Sequence, residues 1–357
     1  MEILKRLQLP DHLKPLPSDE ANLRFGDIYS DHMLLMDYFD GRWRNPRIEP
    51  FGPLLMSPAA MVLHYSQTIF EGLKCYRHSD GRLALFRPRD NFRRLNGSAE
   101  RMAIPLLDDA FLLTALKELL KIDGRWVPSH PGSALYIRPF VIATEPHLGV
   151  RPAREYLFMI ITGPVGPYYK EGFAPIKIFV ESCYSRSAPG GLGAVKAGAS
   201  YANSLLATEK AAQKGYTQLL WLDSCEHRFI EEVGSMNMFF VIDGKIVTSP
   251  LENGTILPGL TRASVLTVAA KLGLPAEERP LEITELIEAQ KNGRLSEAFG
   301  SGTAAVISPV GLLHYREQDY TVADGQVGKI TQTLYDELVS IQYGHKPDPY
   351  GWVEIID

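Results

Sequence analysis

Cysteine is scarce in this 357-residue chain: Cys75, Cys183 and Cys225 lie far apart and form no Cys-x-x-Cys pair. That spacing excludes a disulfide framework and a structural zinc site of the usual kind, and it fits a reducing cytoplasm. Long apolar runs are missing too, since stretches such as Tyr156 to Thr162 are far too short to span a bilayer. The N-terminus, Met1-Glu2-Ile3-Leu4-Lys5-Arg6-Leu7, meets charge and Pro10 before a signal-peptide core develops. The sequence therefore predicts a soluble, cytoplasmic protein. Positive charge is not in surplus: 37 Lys+Arg against 42 Asp+Glu give a formal net charge of -5. Phosphate backbones and anionic lipid are then not generally attracted, so neither nucleic acid nor membrane is expected as a partner. No Gly-x-x-x-x-Gly-Lys-Ser/Thr run and no His-Glu-x-x-His pair occurs, and Gly191-x-Gly193-x-x-Lys196 departs from a dinucleotide fingerprint at its last position. No metal is expected.

What is present is core material. Hydrophobic residues at 45% and charged residues at 22% are ordinary for a globular protein, and the length exceeds what one core usually serves, so two domains are predicted. The first third reads as extended segments, His32 to Tyr38, Leu54 to Met56 and Met61 to Tyr65, broken by Gly, Pro and Asp. Asn91 to Met102 and Ala110 to Ile122 have helical spacing, the second with a stripe of Phe111, Leu112, Ala115 and Leu119. Ser133 to Ala143 and Glu155 to Thr162 return to strand composition. This makes residues 1–168 a small α+β domain. The Pro/Gly cluster from Gly163 to Gly172 marks a linker at 169–184, and 185–357 form the larger domain. Ile176 to Glu181 reads as a strand opening the second domain. Tyr201 to Lys214 reads as a helix burying Ala202, Leu205, Leu206 and Ala212, stopped by Gly215. Strands at Thr217 to Leu222, Arg228 to Glu232, Met236 to Ile242 and Lys245 to Thr248 follow, the last two joined by an Asp243-Gly244 hairpin. Another helix starts at Pro258 to Arg262 with Val265, Leu266, Ala269 and Leu272 inward.

Lys196 stands in Gly191-Leu192-Gly193-Ala194-Val195-Lys196-Ala197-Gly198-Ala199-Ser200-Tyr201, and Glu232 opens Glu232-Val233-Gly234-Ser235-Met236-Asn237. Most lysines end up solvated. One set among such small, apolar residues is desolvated, the setting that favours a nucleophilic amine. Tyr201 offers a phenol near the start of the next helix. Glu232 offers a carboxylate, and strand alternation turns its neighbour Glu231 to the opposite face. A covalent amine anchor, an acid opposite a pyridine nitrogen and a phosphate cradle are the requirements of pyridoxal 5'-phosphate. Gly259-Leu260-Thr261 at a helix start and Gly300-Ser301-Gly302-Thr303 supply amides and hydroxyls for the phosphate, and Arg94 supplies charge. Each of these phosphate signals is weak alone, because Gly-rich turns are common.

Taken together these residues resemble the branched-chain amino acid aminotransferases of fold type IV, from about Asp31 to the C-terminus. The most specific stretch runs from Glu232-Val233-Gly234-Ser235-Met236-Asn237-Met238-Phe239 through Ile246-Val247-Thr248 to Ile256-Leu257-Pro258-Gly259-Leu260-Thr261-Arg262. Tyr65-Ser66-x-x-x-Phe70-Glu71-Gly72-Leu73-Lys74, Leu85-Phe86-Arg87-Pro88, Tyr136-Ile137-Arg138-Pro139 and Phe299 to Ala304 add to it. The resemblance implies a small α+β domain and a larger pseudobarrel domain. It implies Lys196 as the covalent anchor, Tyr201 at the cofactor's ring oxygen and Glu232 at its pyridine nitrogen. Arg94, Leu260, Thr261 and Thr303 match phosphate contacts, and Arg186 falls where the family keeps another arginine near the cofactor. Tyr29, Tyr65, Phe70, Tyr136 and Arg138 match the substrate wall, and Ser235 and Ala304 the α-carboxylate contacts. A homodimer is implied, with a loop around Val150 closing the other subunit's pocket. The implied reaction moves the amino group of leucine, isoleucine or valine to 2-oxoglutarate. Two departures stand out: Ala305 and Ser308 replace the Cys-x-x-Cys pair of animal members, and Tyr29 stands where some relatives have Phe. Lys196 and Glu232 do not separate this reading from a D-amino acid or R-amine aminotransferase, or from a lyase acting on aminodeoxychorismate; the Tyr65, Phe70 and Arg138 segments favour the branched-chain one. A non-catalytic metabolite-binding module is the reading from another class.

Overall fold

A computed structural model describes residues 1–166 and 173–356. Residues 167–172, which hold most of the Pro/Gly cluster and the start of the expected 169–184 linker, lie outside the described residues. The chain divides into two compact units: Met1–Tyr168 with Lys196–Ala199 and Ile341–Asp357, and Tyr169–Val195 with Ser200–Ser340.

In the first unit the elements are β1 (Leu4–Lys5), β2 (His32–Phe39), β3 (Arg42–Pro50), α1 (Met61–Tyr65), β4 (Thr68–Phe70), β5 (Leu73–Arg77), β6 (Leu83–Phe86), α2 (Pro88–Arg101), α3 (Asp109–Asp123), β7 (Ala134–Ala143) and β8 (Tyr156–Val165). The sheet runs β1-β3-β2-β8-β7-β5-β6 and ends on the C-terminal strand Val353–Ile356, with β4 beside β7. Pro88 opens α2, where its missing N–H costs nothing. Asp108 caps α3 by accepting from the amides of Ala110 and Phe111 at 3.0 and 3.1 Å. The buried faces of the two helices, Phe92, Leu95, Leu112, Leu116 and Leu119, share one core with Leu34, Ile48 and Ile137 of the sheet. Each such side chain contributes about 1.5–3 kcal/mol on burial.

The second unit contains β9 (Ile176–Glu181), α4 (Gly198–Ala202), which begins in the first unit, α5 (Leu205–Gln213), β10 (Gln218–Leu222), β11 (Ile230–Val233), β12 (Met236–Ile242), β13 (Lys245–Thr248), α6 (Leu260–Lys271), β14 (Ala276–Glu278), α7 (Ile283–Lys291), β15 (Leu295–Gly302), β16 (Val306–Tyr315), β17 (Gln318–Thr321) and α8 (Lys329–Gln342), whose last turn returns to the first unit. The order β11-β10-β9-β16-β15-β12, together with the pairing of β11 to β12, closes a ring of strands. This is the expected pseudobarrel. Ile178, Leu220, Met238, Phe240 and Ala298 share its core with Leu286 and Ile287 of α7.

Several local expectations fail for identifiable reasons. Leu54 to Met56 is not a strand, and Leu55 is fully exposed. Met61–Tyr65 is a helix rather than a strand, because a five-residue apolar run has no period to separate the two. The Tyr201 to Lys214 helix is two helices, and Ala202, Leu205, Leu206 and Ala212 are all exposed while Ala207 and Ala211 are buried. In α6, Leu272 is exposed and Val268 takes its place inside.

Candidate active site

The first unit gathers Lys196 with several of the expected wall residues. The segment carrying it is stitched to β4: the Phe70 amide donates to the Lys196 carbonyl at 3.0 Å, and Ile69 bridges to Ala197. A Cβ on Gly198 would come within 2.6 Å of Thr68 Cγ2, so the small residues there permit the close approach. The Lys196 amide donates to Ser98 Oγ at 3.1 Å, and its Nζ lies 4.8 Å from the centre of the Phe70 ring. Arg138 packs its guanidinium 4.6 Å over the same ring and donates from Nη2 to the Tyr136 hydroxyl at 2.9 Å. Gly72 makes room for that hydroxyl, since a Cβ there would sit 2.1 Å from it. Arg94 projects from α2 and pairs with the buried Glu71 through Nε at 2.7 Å.

Tyr29, Tyr65 and Val150 are exposed, and the first two have partners of their own. Tyr29 stacks on Phe51 at 4.9 Å, and the Tyr65 hydroxyl donates to the Leu148 carbonyl. Val150 is 85% exposed. Arg151 and the Arg154 amide hold Glu145 from the other end of that loop, and the Arg151 hydrogen bond, against the opposing cost of desolvation, keeps its carboxyl down at about 2.

The second unit gathers the acid. Glu232 sits near the end of β11, buried, and its carboxylate pairs with the buried guanidinium of Arg186. Arg186 Nη2 also donates to the carbonyls of Gly193 and Thr255 at 3.1 and 3.0 Å. A side chain on Gly193 would strike the Thr255 oxygen at 2.0 Å. Across the hairpin from Glu232, Asn237 donates to it at 3.2 Å and to the Leu257 carbonyl at 2.9 Å. Asn237 Oδ1 would also meet a Cβ on Gly259, the residue that caps α6, at 1.9 Å. Asn237 therefore joins the acid to the first turn of α6, where Leu260 and the buried Thr261 stand. Ser235 occupies the exposed turn between β11 and β12. Tyr201 is half-buried on α4, and Thr303 and Ala304 form the half-buried turn between β15 and β16. Glu231 is buried as well as Glu232. Desolvation pushes its carboxyl up, against an opposing Thr255 hydrogen bond and the Arg186 charge.

The model of the family described as Amino-transferase class IV matches residues 68–313. Branched-chain-amino-acid aminotransferase 2 of Bacillus subtilis is 50% identical over 348 residues, 97% of this chain and 95% of that protein. The chain belongs to the branched-chain-amino-acid aminotransferases of class IV. Among solved structures, the Escherichia coli branched-chain amino acid aminotransferase superposes with a TM-score of 0.74 at 27% identity, covering 90% of this chain and 99% of that one. The branched-chain amino acid aminotransferase of Thermobaculum terrenum, solved in its PLP-form, gives 0.73 at 25% identity, covering 91% and 98%.

The donor set of this class IV aminotransferase fits a pyridine ring bearing a phosphate. A buried carboxylate paired with a guanidinium stays ionised and suits a protonated ring nitrogen. The first turn of a twelve-residue helix suits an anion. Among residues that the sequence reasoning missed, Asn237 lay inside the quoted motif but carried no role. Val306 closes the Thr303-Ala304-Ala305 turn with φ +62°, a left-handed conformation that costs a β-branched residue about 1–3 kcal/mol. No pattern of residue types announces that strain.

Proposed function

We propose that this chain transfers the amino group of leucine, isoleucine or valine to 2-oxoglutarate, reversibly, with pyridoxal 5'-phosphate as cofactor. The observation that carries this reading is the 50% identity to a branched-chain aminotransferase over nearly the whole chain. When bound, the cofactor supplies an electron sink into which the substrate's Cα–H bonding electrons pass. Lys196 would anchor it, and its amine would serve as the general base that takes the Cα proton and as the acid that returns a proton. Glu232, paired with Arg186, would face the ring nitrogen. Tyr201 donates to the ring oxygen. Arg94, Leu260, Thr261 and Thr303 hold the phosphate, the first by charge and the others by amides and hydroxyls.

Substrate recognition must serve an apolar chain and a second carboxylate in one pocket. Phe70, Tyr65, Tyr136 and Tyr29 bury methyl groups at about 0.8 kcal/mol per CH₂. Arg138 meets the distal carboxylate of glutamate, while Ser235 and Ala304 hold the α-carboxylate. The assembly we propose is a homodimer in which the loop around the exposed Val150 closes the partner's pocket. The decisive experiment is a visible spectrum of the purified protein as L-leucine and then 2-oxoglutarate are added. The cofactor band should vanish with the first and return with the second. A protein with no such band, or one that answers D-alanine and not L-leucine, would refute the assignment.

A further inference from the structure

Glu71 lies in the two-residue connection between β4 and β5, is fully buried, and has no task in the reaction described above. Its carboxylate accepts from Arg94 Nε at 2.7 Å and Nη2 at 2.9 Å, from Asn91 Nδ2 at 2.8 Å and from the Gly72 amide at 3.1 Å. Desolvation pushes such an acid up. Here the Arg94 charge and hydrogen bond, the Lys196 charge and the Asn91 hydrogen bond outweigh it and hold the group below the usual carboxylate range.

A buried ion pair is weak evidence for stability, because two charges leave water to make it. What it does supply is direction. A guanidinium gripped through Nε and one terminal nitrogen has its plane fixed. Arg94, Asn91 and Ser98 share α2, and Ser98 Oγ accepts from the Lys196 amide at 3.1 Å while donating to the Arg94 carbonyl at 3.2 Å. Phe70, immediately before Glu71, holds the Lys196 carbonyl. The Lys196 backbone and the Arg94 guanidinium are thus fastened to one frame, with Glu71 at its joint.

We propose that Glu71 is a positioning residue that aims Arg94 at the cofactor's phosphate and so gives the site its preference for the phosphorylated cofactor. This rests on Arg94 being a phosphate contact. The test is a titration of the full-length protein with pyridoxal phosphate and, separately, with pyridoxal, comparing wild type, Glu71→Gln and Glu71→Asp. Loss of a charge-assisted contact predicts about ten- to a hundredfold weaker binding of pyridoxal phosphate to Glu71→Gln, with pyridoxal changed less than about threefold. Glu71→Asp keeps the charge but is one methylene shorter and cannot bring its carboxylate as close to the guanidinium, and should lose about three- to tenfold for the phosphorylated form alone. If Glu71→Gln does not fold, Glu71→Asp decides by itself. Equal weakening of both ligands, which a merely structural role produces, overturns the inference, and so does an unchanged preference. Wild type binding pyridoxal phosphate no better than pyridoxal removes the reading of Arg94 itself, and this inference with it.

Discussion

Arg138 is held by weak hands: two aromatic faces, Phe70 and Tyr136, and one phenol. Its buried Nε has no hydrogen-bond partner among the described residues, so the side chain retains donors for an incoming carboxylate. Arg138→Met should lower kcat/KM for 2-oxoglutarate by about ten- to a hundredfold, the worth of a charge-assisted hydrogen bond, while leucine suffers far less. Steady-state kinetics with each substrate varied will decide, and equal losses would mean that Arg138 only packs. Arg186 offers the opposite case, a guanidinium committed to protein partners. Arg186→Met leaves Glu232 buried beside no cation and should destabilise the second unit by about 3–5 kcal/mol, read by calorimetry of the purified variant. Arg186→Lys should recover only part of this, since a point charge cannot reproduce the planar fork that reaches Gly193 and Thr255. At this scale the sequence displays local patterns, Lys196 among small residues and the Glu232 motif. That Arg186 serves Glu232 was not legible there, because the sequence places the two far apart.

Elements record the same division. The Asp243-Gly244 hairpin was legible because few residues adopt positive φ, and both adopt it here, at 50° and 75°. Gly215 likewise ends its helix with φ +86°. The α5 face was not legible: Leu205 and Leu206 match a helical stripe, yet α5 turns Ala207 and Ala211 inward against Leu219 and Trp221. Only what lies opposite decides which face is buried. Strand β5 carries a further consequence, for desolvation pushes Lys74 down to about 8 from its ordinary 10.5. Between those values the unfolded chain binds more protons than the folded one, so this group makes stability rise with pH across that window, and its full cost is felt below it. Urea unfolding from pH 8 to 10.5 should show wild type gaining on Lys74→Met as pH rises. Parallel curves would show that the amine does not titrate as burial requires.

For the whole molecule the informative question is whether the Val150 loop serves its own chain or another. Lys196→Ala and Val150→Asp should each be nearly inactive alone. After unfolding and refolding together, mixed dimers would hold one site with both an intact lysine and an intact loop, so activity should return to about a quarter of wild type if pairing is random. With both variants inactive alone, no recovery on mixing would place the loop in its own subunit's pocket.

The sequence by itself determined where the Asp243-Gly244 hairpin turns and where Gly215 stops its helix, because these depend on a few neighbours along the chain. It could not determine the closure of β11 on β12, the placing of parallel β9 between β10 and β16, or the return of Val353–Ile356 to the sheet of the first unit. Nor could it pair Glu71 with Arg94 or Arg186 with Glu232. Those were decided by tertiary structure. A buried charge must find its partner wherever packing brings one, and packing depends on every element at once.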